Sequence, residues 1–217
     1  MKRARYEYKE QAKQLLTGKY QNVIIIMLIM GVVSSLFISG NFSQNANFGA
    51  RLLSIISFAL SAAFTYAQTK MYIGVTNDEN PVIETVVLAG FKENYVRSLI
   101  TLLIQTVYII LWTLLFVIPG IIKAYAYSMS FYLLNKNKDL QPSEAITMSK
   151  EYTNGYKMDL FMLHLSYIGW YILSLFTFGI LLFWVIPKVQ TAQTLIFNEI
   201  YLEKNPAVNQ PVGDLPE

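Results

Sequence analysis

The chain contains no cysteine and a single histidine, His164, in 217 residues. A disulfide framework, a thiolate nucleophile and a cysteine-based metal site are thereby excluded, and one histidine cannot build a histidine-based metal site. There is no Walker loop, no Gly-x-Gly-x-x-Gly following a strand, no His-Glu-x-x-His and no Gly-x-Ser-x-Gly. Charge is scarce too. Only 14% of the residues are charged, against roughly 25% in ordinary soluble domains. The net charge of +3 is small, and nothing in it predicts a nucleic-acid partner. No cofactor is expected.

Apolar residues fill the space that charge leaves. They make up 54% of the chain, and the mean hydropathy is +0.38. One soluble core of this size cannot hide so much apolar surface, so the bilayer is the expected solvent. Residues 20–39 and 52–74 are long apolar runs, 96–134 is a third, and 158–202 is a fourth. A helix crosses with about 20 residues at roughly 1.5 Å each, so the last two runs are each read as two helices joined by a tight turn. The expectation is an all-α membrane protein of six spans, near 20–39, 51–74, 96–112, 115–135, 158–176 and 179–202. Four long, bent helices are the alternative. The first run is longer than a signal-peptide core, and "FISG" is a poor cleavage site, so a retained first span is expected.

The basic residues are distributed unevenly. Fourteen lie on one side of these spans: Lys2, Arg3, Arg5, Lys9, Lys13, Lys19, Lys70, Lys92, Arg97, Lys136, Lys138, Lys150, Lys157 and Lys204. Arg51, Lys123 and Lys188 are the three on the other. The positive-inside rule then places both termini in the cytoplasm.

A repeated frame runs through this pattern. "YAQTKMYIGVTNDENP" (66–81) and "TAQTLIFNEIYLEKNP" (191–206) share Ala, Gln, Thr, Asn and Pro in register, and 126–142 is a looser copy. Asn80-Pro81 is expected to cap and start a helix. Gly18, Gly90 and Gly155 each stand beside an aromatic residue and a lysine, and each is expected to stop a short helix in the left-handed conformation. "LLFVIP" (114–119) matches "LLFWVIP" (181–187). These markers predict a single integral domain, 1–205, built as a threefold repeat over 1–80, 81–141 and 142–205, with 206–217 a disordered cytoplasmic tail. Each unit is a helical hairpin preceded by a short amphipathic helix lying on the inner leaflet. Ala4, Tyr8, Ala12 and Leu15 form the apolar face of the first such helix, and Ala145, Met148 and Tyr152 that of the third. Chance likeness between apolar segments is the alternative to a repeat, and ordinary solvated connecting helices are the alternative to interfacial ones.

The candidate polar positions at membrane depth are Lys123, Lys188, His164, Gln68, Gln190 and Gln193. The two lysines are expected to anchor at the outer headgroups by snorkelling, with a site for an anionic lipid or solute as the sharper alternative. Ser54, Ser57, Ser61, Thr65, Gln68 and Tyr72 make a polar stripe, and so do Gln190, Gln193, Thr194, Asn198 and Tyr201. His164, Tyr167, Tyr171 and Ser174 make a third. Helix–helix packing is the expected role of all three, and a polar passage is the alternative. Asp159 and Glu199 lie near the cytoplasmic ends, which argues against a carboxylate relay inside the membrane.

"LLFVIPGIIKAYAYSMSFYLL" (114–134), "LHLSYIGWYILSLFTFGILLFWVIP" (163–187), Ser149-Lys150 and the Gly155–Lys157 stretch resemble a bacterial integral membrane family known as domain of unknown function 975. Lys188 stands where an aromatic residue is expected, and Tyr167 where phenylalanine is usual. The resemblance implies a multi-pass protein of the bacterial plasma membrane and no catalytic residues. The expected role is non-enzymatic: membrane organisation, envelope homeostasis or partner binding. Its expected partners are the bilayer, an anionic lipid, and a protein partner or a second copy of the chain. A small-solute transporter or channel using the polar stripes is the second reading, and a lipid-modifying enzyme the third.

Overall fold

The computed structural model describes residues 4–38 and 48–206, with side-chain surroundings for most of them. Lys2, Arg3, residues 39–47, the Ser54 side chain and all of the predicted tail beyond Pro206 lie outside that description. Of the described residues 83% are helical and none is in a strand. The elements are α1 (Arg5–Leu16), α2 (Tyr20–Ile38), α3 (Phe48–Thr76), α4 (Ile83–Lys92), α5 (Tyr95–Leu115), α6 (Val117–Tyr127), α7 (Ser130–Lys136), α8 (Pro142–Tyr152), α9 (Lys157–Leu165), α10 (Ile168–Phe176) and α11 (Leu182–Lys204).

Four stretches are long and apolar enough to cross a bilayer: Arg51–Thr76, Tyr95–Leu115, Val117–Lys136 and Lys157–Phe176. A fifth is reached if the pair Arg5–Leu16 and Tyr20–Val32, bent by 91°, counts as one. Two of the expected spans are broken. The helix near 115–135 splits into α6 and α7 at Ser128–Met129, and that near 158–176 into α9 and α10 at Ser166–Tyr167. α11 is the helix that the apolar criterion leaves out. Its last two turns carry Glu199, Glu203 and Lys204, and its middle is a polar run.

α11 is nevertheless the centre of the molecule. Val185, Val189, Ala192, Leu195, Ile196, Phe197 and Ile200 are buried, and α1, α2, α3, α8, α9 and α10 pack around it. α1 contributes Tyr8, Ala12 and Leu16, one face at spacings of four, as an amphipathic helix should. α3 packs on α2, α4 and α5. Polar ties close the body. Tyr8 Oη donates to Glu199 (2.5 Å), Tyr132 Oη to Asn198 Oδ1 (2.9 Å), and Lys19 pairs with Asp78 at 2.6 Å.

The three marker glycines divide into two kinds. Gly18 (φ +81°) and Gly155 (φ +87°) take the left-handed conformation and end their helices, as expected. Gly90 does not. It lies inside α4, and a Cβ there would meet the Ala63 carbonyl oxygen at 2.2 Å. Its missing side chain lets α4 lie directly on the α3 backbone. The Asn-Pro expectation also shifts: α4 begins at Ile83 with Val82 as its N-cap. The capping arrangement appears instead at Gln141-Pro142, where Pro142 opens α8 and the Gln141 amide donates to Glu144 Oε2 at 3.0 Å.

Candidate functional site

A cavity of about 930 Å³ opens between α1 and the α10–α11 turn. Its two walls differ in chemistry. α1 presents Glu7, Lys9, Glu10 and Lys13, while the opposite wall presents Tyr167, Trp170, Leu181, Trp184, Val185 and Lys188. α1 is placed here by Tyr8, Ala12 and Leu16, which bury one face and leave the charged one outward. Lys9 reaches across, with its Nζ 4.6 Å from the centre of the Tyr167 ring. Burial holds the Lys9 ammonium below its ordinary pKa. Lys13 and Glu10 form an exposed pair at 3.9 Å. Lys188 has no carboxylate within 4 Å among the described residues. The cavity therefore offers three ammonium groups against two carboxylates above an apolar, aromatic floor. That set suits a phosphate-bearing amphiphile: oxygens on the lysines, carbon chain on Leu181 and Val185.

Lys123 is elsewhere. It lies on α6 with its Nζ 4.4 Å from the centre of the Trp112 ring on α5, and the Lys150 and Lys157 ammonium groups act on it electrostatically. The two lysines thus share no pocket. His164 is a packing residue: its Nδ1 is 2.9 Å from the Leu160 carbonyl oxygen, and its ring is 5.6 Å from that of Tyr125. Gln193 is buried in α11, and Gln190 and Gln68 are half-buried. None of the three glutamines has a side-chain hydrogen bond among the described residues.

The serine and threonine hydroxyls of the stripes turn inward on their own helices, whereas Asn198 accepts from Tyr132 of α7. Ser57, Ser61, Thr65 and Thr69 donate to carbonyls three or four residues back, as do Ser174 and Thr194. Tyr72 Oη reaches only Met27 Sδ (3.5 Å).

The family described as protein of unknown function DUF975 matches residues 1–126 and 114–204. The chain belongs to the DUF975 family. No curated protein and no solved structure matches it.

Two polar clusters of this DUF975 protein lay beyond reading from sequence. Ser149 of α8 accepts from the Met129 amide (3.1 Å) and donates to the Ala126 carbonyl (2.9 Å), and Thr153 donates to the same carbonyl (3.2 Å). They satisfy the backbone groups that the α6–α7 break frees. Glu93, between α4 and α5, pairs with Lys70 and with Lys138 (3.9 Å) and accepts from Tyr66 Oη (3.3 Å). Partial burial alone would raise the Glu93 carboxyl, but the Lys70 bond and charge, the Lys138 charge and the Tyr66 hydroxyl together bring it below its ordinary value. Ser149-Lys150 stands out in the sequence; Glu93 carries no local signal.

Proposed function

We propose that this DUF975 protein is a non-enzymatic integral protein of the bacterial cytoplasmic membrane that holds phospholipid at the cavity between α1 and the α10–α11 turn. Its three hairpins, each preceded by an interfacial helix, leave both termini on the cytoplasmic face. The observation that carries the reading is the cavity's pairing of three lysines with Trp170, Trp184 and an apolar floor. Lysine and tryptophan together are what the headgroup zone selects. The excess of basic residues on the side of the termini supports the orientation. Transport through the polar stripes has less support, because their serine and threonine hydroxyls bond to their own helices. Purification in mild detergent followed by native mass spectrometry tests the reading. Phospholipid should remain bound to the native protein and be lost from a Lys9→Gln, Lys188→Gln double variant that melts at the native temperature. Equal lipid on both proteins would contradict it.

A further inference from the structure

The hairpins differ in how far they can reach. α3 has 29 residues, or about 43 Å at 1.5 Å each, and the segment before it reads "SGNFSQNAN", a polar sequence suited to water. The α5–α6 turn is Phe116 alone, and Leu114 to Ile118 are all large, apolar and 65–83% exposed. Phe178, at the α10–α11 turn, is 98% exposed. From Ser98 to Ile122 the sequence has no charge at all. Such tips are poor external loops.

The level at which polar surface begins can be located. Gln105 Nε2 donates to the Tyr127 carbonyl (2.9 Å), which puts α5 and α6 in register eleven residues to each side of Phe116. Both ends of α8 meet the hairpin at that level. Ser143 and Thr147 lie beside Leu103, Val107 and Tyr108, while Ser149 and Thr153 bind the 126–129 break. α8 therefore runs across the hairpin, and its Glu144, Lys150 and Glu151 are exposed. Exposed charges of this kind do not sit in hydrocarbon. Eleven helical residues rise about 16 Å, about half of a 30 Å hydrocarbon core. The third hairpin is shorter still. Charged α1 shares its cavity with Trp170 and Trp184, eight and six residues from Phe178, so about 12 Å projects beyond them at helical rise.

We infer that the α5–α6 and α10–α11 hairpins are re-entrant: they enter the acyl chains of the cytoplasmic leaflet and return, and only the α2–α3 hairpin crosses the membrane. The inference rests on the membrane reading above. Phe116 leaves few free backbone groups at its turn, since its own amide bonds to the Trp112 carbonyl and its carbonyl accepts from Gly120. That meets the requirement of a turn in lipid. Lys123 and Lys188 then join the cytoplasmic set, so fourteen against three becomes sixteen against one, with Arg51 alone outside.

The absence of cysteine makes the test clean. Full-length single-cysteine variants Phe48→Cys, Lys123→Cys, Thr147→Cys, Phe178→Cys and Lys188→Cys are exposed in intact cells to a membrane-impermeant maleimide, and again after permeabilisation. Phe48→Cys should label from outside. Thr147→Cys, Lys123→Cys and Lys188→Cys should label only after permeabilisation, and Phe178→Cys should lose external labelling despite its exposure. External labelling at Lys123→Cys, Lys188→Cys or Phe178→Cys overturns the inference. So does failure of both lysine positions to label after permeabilisation. Recovery of the protein in the soluble fraction would instead overturn the membrane reading itself.

Discussion

Tyr95–Leu115 and Val117–Lys136 run side by side, yet their surfaces meet different surroundings. The first has a mean hydropathy of 2.0 with 17% of it buried; the second has 1.2 with 50% buried. α11, too polar to count as a span, buries eleven of its 23 residues. In a water-soluble domain the most apolar helix is the one the others cover, because burial is where apolar surface gains free energy. Here the order is reversed. A helix with a polar middle is covered, while Leu114, Leu115, Phe116, Val117, Ile118, Leu175 and Phe176 of the most apolar helices and their turn face outward. The exposed apolar surfaces of α5, α6 and α10 are compatible with a membrane as their surroundings.

The comparison is broken most severely by damaging the body. Leu163→Ala removes a fully buried side chain and should cost about 2–5 kcal/mol of stability in detergent. Gly90→Leu drives a side chain into the α3 backbone and should cost about 1–3 kcal/mol or prevent folding. Thermal unfolding followed by intrinsic fluorescence checks both. A tip substitution should do the opposite. Phe116→Arg should leave the melting temperature in detergent unchanged, yet it should reduce the membrane-integrated fraction in cells, since a guanidinium at depth costs about 2.5–3.5 kcal/mol on insertion scales. Membrane fractionation after alkaline extraction reads it.

Ser149→Ala should be milder, at about 1–3 kcal/mol, because it strands the Met129 amide in a buried site. Ser149→Thr should recover part of the loss. Glu93 is the smallest case, at about 1 kcal/mol or less for a partly exposed pair. Its pKa is lowered in the fold, so its contribution is present above the unfolded carboxyl pKa and is lost as pH falls through the folded one. Glu93→Gln should remove that acid-side loss, measured as melting temperature against pH below neutrality.

The helical class and the presence of apolar helices long enough to span a membrane were readable because apolar runs and charge gaps are written locally. The apolar face of α1 was readable in part: Tyr8 and Ala12 are buried as expected, but Leu16 is buried where Leu15 was expected, and Ala4 is exposed. What escaped depended on contacts between distant segments. Gly90 looks like Gly18 and Gly155 in sequence, and only the approach of α4 to Ala63 separates a packing glycine from two helix stops. The breaks at Ser128 and Ser166 fall within continuous apolar runs, where composition does not mark the loss of helical geometry. Lys188 and Lys123 were both expected to anchor at the outer headgroups, but the neighbours that distinguish them sit on α1 and α5. Lys188's surroundings come in part from α1, at the opposite end of the sequence, beyond the reach of any local pattern.

All three tryptophans, Trp112, Trp170 and Trp184, are partly exposed on the two apolar hairpins. Their fluorescence can therefore report on the phase outside the protein without any substitution. The deciding measurement is quenching of the native protein in liposomes by phospholipids brominated at successive acyl positions, compared with quenching by aqueous acrylamide. Strong quenching by bromines near the headgroup end of the chains, with weak quenching by acrylamide, is the predicted result. Full acrylamide quenching with none from brominated lipid would contradict the claim that lipid covers these helices.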